Sequence, residues 1–403
     1  MKLAIIGAGA AGCFAAANIH PANDHEIIIF EKTGKSLQKV KVSGGGRCNV
    51  THACYDVPAL LDKYPRGKQL VRKTLYKFGP AETVAWFKQR GVQLKEEADG
   101  RMFPVTNDSQ TIIHCLLQEL ENKKISIRLN KSVERIEKLE GQFKIYFADQ
   151  TTHVADKILI ACGGYPKPGQ YHWISAMGHH IQSPVPSLFT FNLPHQPITE
   201  LMGVVVPEVT VKIQGTKIAE SGPLLITHWG FSGPVILRTS AWAARELAEK
   251  EYDFTIMINW LHKKTEKEVK EELATIRKTM GKQLVQHKNP FQLPRRFWEF
   301  LLWKNQVTPE VKWGELSATA QNKLIDTLLF DRYEVKGKTT FKEEFVTCGG
   351  ISLQEVNPAT LESRLVPGLF FAGEILDVDG ITGGFNFQHA WSSAFIAAEA
   401  MST

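Results

Sequence analysis

The stretch from Lys2 to Gly12, KLAIIGAGAAG, constrains this chain more than any other. Residues 2–6 are a short apolar run of β type. Gly7, Gly9 and Gly12 follow at once with GxGxxG spacing, and an Ala-rich helical run from Ala11 to Ile19 follows them. Glu26–Phe30 then reads as a second buried strand, closed by Glu31, which lies 19 residues past Gly12. A strand, a glycine turn, a helix and an acid after the next strand together form a dinucleotide-binding βαβ unit. Gly7 allows the tight turn, Gly9 lets backbone approach a pyrophosphate, and Gly12 permits close helix–strand packing. The helix N-terminus at Ala10 and Ala11 offers free N–H groups and a positive dipole end to that phosphate. Glu31, followed by Lys32, is positioned to accept hydrogen bonds from an adenosine ribose. Residues 3–17 are also apolar enough to resemble an export leader ending at Cys13. A single Lys ahead of them and three glycines within them favour the strand–turn–helix reading.

With 403 residues, 43% apolar and 22% charged, the chain is long enough for two to three globular domains and is neither disordered nor fibrous. The net charge of +6, from 48 Lys and Arg against 42 Asp and Glu, suits an anionic ligand such as a nucleotide. It is too small to argue nucleic acid by itself. Six cysteines (Cys13, Cys48, Cys54, Cys115, Cys162, Cys348) without a CxxC pair are not a disulfide framework, so the cytoplasm is the expected compartment. No apolar run approaches the ~20 residues of a membrane span, and no His/Cys/Asp spacing suggests a metal.

After Glu31, the segment Gly34–Asn49 (GKSLQKVKVSGGGRCN) reads as a loop. Its glycines Gly44, Gly45 and Gly46, between Ser43 and Arg47, expose backbone suited to an anion or a flavin. Helices are expected over 68–78, 81–90 and 107–121, and strands over 92–96 and 125–129. A hairpin follows (133–139 with 143–147), and then a strand over 154–160 leading into Ala161-Cys162-Gly163-Gly164. Such a meander ahead of an Ala-x-Gly strand end is associated with FAD-binding Rossmann domains, which place a backbone contact to adenine near Val133. Residues 184–260 change to short β runs rich in Pro and Gly, and 262–330 to helices, the first opened by a Thr265/Glu268 capping box. The expected division is therefore a discontinuous Rossmann-like α/β domain (1–190 with 340–403), a small β-barrel-like insert (191–260 with 331–339) and a helical insert (261–330).

The C-terminal cluster completes the picture. Leu369–Ala372 is an apolar strand ending in Gly373 and Glu374, and a Gly-rich turn leads through Gly383 and Gly384 into a helix from Phe385. Glu374 would hold ribityl hydroxyls. The helix would aim its dipole at the flavin N1/O2 edge, with Phe385, Asn386 and Gln388 close to the ring.

These blocks, with RMFP (101–104), THWGFSGP (227–234), VTCGGISLQEV (346–356), TLES (360–363) and FAGEILDVDGITGGFNFQHAWSS (371–393), resemble the BaiN-like flavoproteins, also known as the aminoacetone-oxidase-type FAD-binding family. The resemblance runs from residue 3 to about 398 in family order. It implies a GxGxxG FAD domain carrying a β-barrel-like and a helical insert. Two departures bear on the substrate side. The family usually continues Cys162-Gly163-Gly164 into a Ser/Thr/Gly-rich loop, which is Tyr165–Trp173 here, and a family Asn is His52.

A flavin carries the redox chemistry, so the reaction class turns on the electron donor. Residues 180–340 contain no second GxGxxG unit, and Cys48 and Cys54 lack dithiol-reductase spacing. Two enzyme readings follow: an NAD(P)H-supplied reductase of C=C or C=O bonds, with NAD(P)H as a transient donor, or an oxygen-using oxidase of a small amine. Arg47, Cys48, Asn49 and, as a proton donor, His228 are the candidate catalytic residues. A third reading, an RNA-binding or sensor flavoprotein, rests on eleven Lys/Arg between 262 and 304 with nearby Phe291, Phe297, Trp298, Phe300 and Trp303. Interleaved glutamates make that segment a solvated face, so the expected partner is a small-molecule substrate rather than nucleic acid.

Overall fold

Five short strands lie side by side and parallel in a computed structural model that describes residues 1–20, 25–339 and 346–403. They are β1 (Lys2–Ile6), β2 (Glu26–Phe30), β3 (Ser126–Arg128), β4 (Lys157–Ile160) and β5 (Leu369–Phe371), in the order β5-β4-β1-β2-β3. β1 and β2 each expose only their first residue, as expected of strands covered on both faces. The register is the important feature. Ile6 pairs with both Phe30 and Ile160, and Ile160 pairs with Phe371, so four strands stop in one row. Gly7, Glu31, Ala161 and Ala372 therefore leave the sheet along a single carboxyl-terminal edge, where α/β sheets place their ligands.

Helix α1 (Ala10–Asn18) is buried on nearly every side and packs against the C-terminal helix α3 (Phe385–Met401). Its alanines and Gly12 allow the close approach. Phe14 anchors it among Trp86 (4.6 Å), Trp391 (5.1 Å) and Phe78 (5.5 Å). Residues 133–155 form the expected antiparallel meander. The strand expected over 154–160 is broken at Asp156, which accepts from Lys2 N–H (2.6 Å) and donates its own N–H to Lys2 O (2.7 Å). Residues before it close the meander, and residues after it form β4. The segment expected to be loop over 34–49 contains helix α2 (Gln38–Gly46).

Ile181–Ser187 pairs antiparallel with Val346–Ile351 and so belongs with the nucleotide-binding residues. The chain divides into one unit comprising Met1–Ser187 with Phe341–Thr403 and a second comprising Leu188–Thr340. The boundary expected at 339/340 lies outside the described residues. In the second unit, seven antiparallel strands run in the order 331–336, 253–259, 205–213, 219–227, 230–232, 190–192, 338–339. Its two ends are joined through Gly337, which curls the sheet into a barrel-like form.

The β-rich and helical segments read as two inserts are one unit. Trp260 meets Phe297 at 4.5 Å, and Trp298, Trp313 and Tyr333 share a continuous buried core with the strands. Two helices, Pro234–Trp242 and Ala244–Glu249, lie within the segment read as a small antiparallel β domain, between its expected short β runs. The capping box forms as expected, with Glu268 accepting from Thr265 N–H at 2.7 Å. Among the aromatics of 262–304, Phe297 and Trp298 are core while Trp303 is 63% exposed, and Lys264, Lys270 and Arg295 are each paired with a glutamate.

Candidate functional site

The edge of the parallel sheet is shaped by glycines. Gly7 sits at φ +109, and a Cβ there would strike the Ala161 carbonyl. At Gly12 a Cβ would overlap the Gly7 carbonyl. These two positions are fixed by packing. At Gly9, by contrast, a Cβ would meet nothing within 4 Å, and no side chain caps α1. An uncapped helix N-terminus beside an open glycine is a fitting seat for a pyrophosphate.

The expected ribose acceptor stands at this edge. Glu31 takes Ala8 N–H on one carboxylate oxygen (2.9 Å) and Thr33 N–H and O–H on the other (2.9 Å each). Its backbone ties down the 128–131 segment through Glu31 N–H to Arg128 O (2.9 Å) and Lys131 N–H to Glu31 O (2.8 Å), two residues ahead of Val133. The ammonium of Lys32 lies 4.6 Å from the Tyr165 ring. Across the sheet, Gly373 at φ +74 presses against Ala11 and donates its N–H to Ser393 Oγ (2.9 Å). Glu374 accepts from Thr347 N–H (2.8 Å) and from Lys39 Nζ (2.7 Å) and flanks Gly163 and Gly164, the residues after Cys162. Thr347 Oγ1 is buried beside Gly164 without a hydrogen-bond partner among the described residues. A buried orphan hydroxyl on a glycine-lined cradle fits a polar cofactor.

A second cluster surrounds the glycine triplet. After Ser43, α2 unwinds through Gly44, Gly45 and Gly46 at φ +58, +69 and +83, and a Cβ at either of the last two would face open space. Three consecutive left-handed residues present backbone without side chains, which only glycine does without strain. Asn49, in the amide orientation that satisfies both neighbours, accepts from Gly384 N–H (2.9 Å) and donates to Thr51 O (3.0 Å). It thereby fastens the triplet loop to the start of α3. Gly383 and Gly384 lie at φ +135 and +92, and Phe385 behind them stacks on His52 at 4.9 Å.

Three expected site residues, Cys48, Gln388 and Asn386, are buried or engaged within the protein. Cys48 is buried at φ +59, and burial pushes its thiol up to about 12, so it is neither a thiolate nor accessible. Burial likewise raises Cys162 to about 11. Gln388 is fully buried inside the protein. Its carbonyl oxygen accepts from Thr51 (2.5 Å) and Thr83 (3.1 Å), and its amide donates to Ser392 Oγ (2.9 Å), so it bolts α3 to the core. Asn386 braces the turn before its helix, accepting from Gly380 N–H (2.8 Å) and donating to Gly380 O (2.9 Å). Arg47 is one-third exposed, pairs with Glu97 at 2.6 Å and lies 4.0 Å from the Phe103 ring centre. His228 is exposed in the second unit, edge-on to Trp229 at 4.4 Å.

Lys39, Thr347 and the buried Arg66–Asp379 pair, to which Ser187 also donates (2.8 Å), were not singled out from sequence. Lys39 lies within the segment 34–49, but only the fold brings it to Glu374, 335 residues away. Among the described residues there is no cluster of three or more His, Cys, Asp or Glu fit to hold a metal, and no helix long and apolar enough to cross a membrane.

Residues 1–400 match the family described as the HI0933-like protein Rossmann domain. A ribosomal RNA dihydrouridine synthase of Escherichia coli is 32% identical, over 98% of this chain and 96% of that one. A 3-dehydro-bile acid delta(4,6)-reductase of Clostridium scindens is 27% identical, over 99% and 98%. Among solved structures, 3-ketosteroid-delta4-(5alpha)-dehydrogenase of Rhodococcus jostii shares the fold at TM-score 0.50 and 12% identity, over 98% of this chain and 97% of that one.

Proposed function

From the premise that this chain belongs to the HI0933-like Rossmann family and is an FAD-dependent oxidoreductase, we propose that it reduces a C=C bond conjugated to a carbonyl, in the uracil base of ribosomal RNA. One observation carries the reading. Relatives that match essentially end to end are named for two substrates, uridine in RNA and a dehydro bile acid, that share one reaction. In uracil, hydride adds to the carbon β to a carbonyl, a proton adds to the α carbon, and the C=C bond is lost; the bile-acid relative is likewise named for the reduction of C=C bonds. The RNA assignment follows the relative of higher identity, and a Haemophilus influenzae protein of the same name is 28% identical over 99% of this chain.

Bound FAD supplies the hydride, and NAD(P)H is the proposed source of its electrons. The N-terminus of α1, beside Gly9, holds the pyrophosphate. Glu31 takes the ribose and Glu374 the ribityl hydroxyls. The N-terminus of α3, fixed by Asn49 and by Tyr64 O–H donating to Phe385 O (2.8 Å), would offer its positive dipole end to the flavin ring. Arg47 is the cation proposed to face the substrate carbonyl as it gains charge, with Glu97 and Phe103 holding its guanidinium. Cys48 takes no part, because its buried thiol has no route to a base.

Negatively charged RNA also suits the chain's positive charge, of which the second unit carries 21 Lys and Arg against 17 Asp and Glu. A second reading, a small cyclic enone as substrate, is favoured by the bile-acid reductase. Dihydrouridine mapping of ribosomal RNA from cells with and without the gene separates the two. Loss of one dihydrouridine, restored by the wild-type gene, supports the RNA reading; identical RNA from both strains refutes it.

A further inference from the structure

We propose that Lys39 is the residue that lets this cradle accept a pyrophosphate, by neutralising Glu374 beside the phosphate seat. The pyrophosphate linking the two halves of FAD carries two negative charges. Its seat at the start of α1 is bordered by two carboxylates, Glu31 on one side and Glu374 on the other. Gly373, the residue before Glu374, packs so close to Ala11 of the first helical turn that a Cβ added to it would lie 3.0 Å from the Ala11 methyl, and this brings Glu374 to the seat. Its oxygens lie 3.2–3.7 Å from where side chains at Gly163 and Gly164 would begin.

Uncompensated, these carboxylates would repel the ligand the glycines are shaped to admit. Among the described residues, Lys39 is the cation in direct contact with either of them, its Nζ 2.7 Å from Glu374 Oε2. Of the neighbouring cations, Lys32 lies over Tyr165 and Arg47 pairs with Glu97. The Lys39 side chain is half-exposed, whereas that of Glu374 is largely buried. Its place in the first turn of α2 puts it on the same element that ends in the left-handed glycine triplet, so one short helix supplies both the backbone surface and the compensating charge. The inference concerns the cofactor and stands apart from the identity of the substrate.

The test is the FAD dissociation constant of the full-length apoprotein, read by quenching of flavin fluorescence. It is measured for wild type, Lys39→Met, Lys39→Arg, Glu374→Gln and the double variant Lys39→Met/Glu374→Gln. Thermal unfolding of each apoprotein serves as the folding control. Lys39→Met is expected to weaken FAD binding roughly 10- to 100-fold, and Lys39→Arg by less than about 3-fold. Removing the carboxylate's charge as well should recover at least about 5-fold of the loss, because the repulsion is gone while the glutamine amide oxygen can still accept from a ribityl hydroxyl.

An unchanged constant in Lys39→Met overturns the proposal. So does a double variant that binds as weakly as Lys39→Met, since lysine would then act by something other than neutralising Glu374. Should Lys39→Met alone fail to fold, Glu374→Gln and the double variant decide the question. The proposal expects those two to differ by less than about 3-fold, and a larger difference overturns it.

Discussion

Gly9 separates folding from cofactor binding more cleanly than any other position. Its φ of −89 and ψ of −168 lie in the extended region open to any residue, and a Cβ there would meet no protein atom within 4 Å. Gly9→Val therefore costs the apoprotein only the change of helix-capping residue, about 1 kcal/mol. The added branch projects onto the seat of the pyrophosphate, where backbone must come within hydrogen-bond reach. Binding should weaken by more than ~100-fold, about 2.7 kcal/mol or more. Gly12→Ala is the counter-case. Its Cβ would overlap the Gly7 carbonyl and approach Ile5 Cγ2 at 3.3 Å, so α1 must move off β1, at a cost of about 1–3 kcal/mol or more. The assay pairs flavin absorbance of the purified protein, after saturation with FAD and desalting, with the melting temperature of the apoprotein. Gly9→Val should be colourless with a near-normal melt, and Gly12→Ala should lose both. A yellow Gly9→Val protein at full flavin stoichiometry would refute the placement of the pyrophosphate. An unfolded one would refute the open space assigned to Gly9.

Gln388→Leu removes the shared acceptor of Thr51 and Thr83 in the dry core and should lower stability by about 2–4 kcal/mol in urea unfolding, while FAD stoichiometry at saturation is retained. Cys48→Ala should keep flavin reduction and substrate turnover within about 3-fold, and alkylation of folded wild-type protein near pH 8 should leave Cys48 unlabelled; rapid labelling there would contradict its burial. His389 is buried against Gly373 O (3.3 Å), and burial depresses it from 6.5 to about 4, so the unfolded chain binds the proton more readily. Its contribution to stability is complete above about pH 6.5 and is lost as pH falls toward about 4. That amounts to about 2 kcal/mol between pH 7.5 and 5, a slope that His389→Gln should flatten in denaturant titrations.

The N-terminal third of the site was legible because its chemistry is local. Gly7, Gly9, Gly12 and Glu31 act through a turn, a helix start and a strand end that all follow from periodicity and spacing. The register, with Ile6, Phe30, Ile160 and Phe371 in one row, then carries Ala161–Gly164 and Gly373–Glu374 to the same edge. What spacing could not give was the direction of side chains on α3. Asn386 and Gln388 sit at a helix start beside the ring's expected place, but one turns back to Gly380 and the other into the core. Lys39 was illegible for the opposite reason: a lone lysine in a basic stretch gains meaning only when its partner arrives from 335 residues away. The two inserts merged because Phe297 and Trp298, read as part of a possible surface, pack with Trp313 into the same continuous core as the strands.

Under the proposed function, this flavoprotein passes electrons to the conjugated C=C bond of uracil in ribosomal RNA. The most direct measurement mixes the FAD-loaded protein anaerobically with NADH or NADPH until the visible flavin absorbance bleaches, then adds ribosomal RNA from cells lacking the gene. The account predicts return of the absorbance together with a mass gain of two hydrogens on a uridine in that RNA. Return of the absorbance with a small cyclic enone but not with RNA would contradict it.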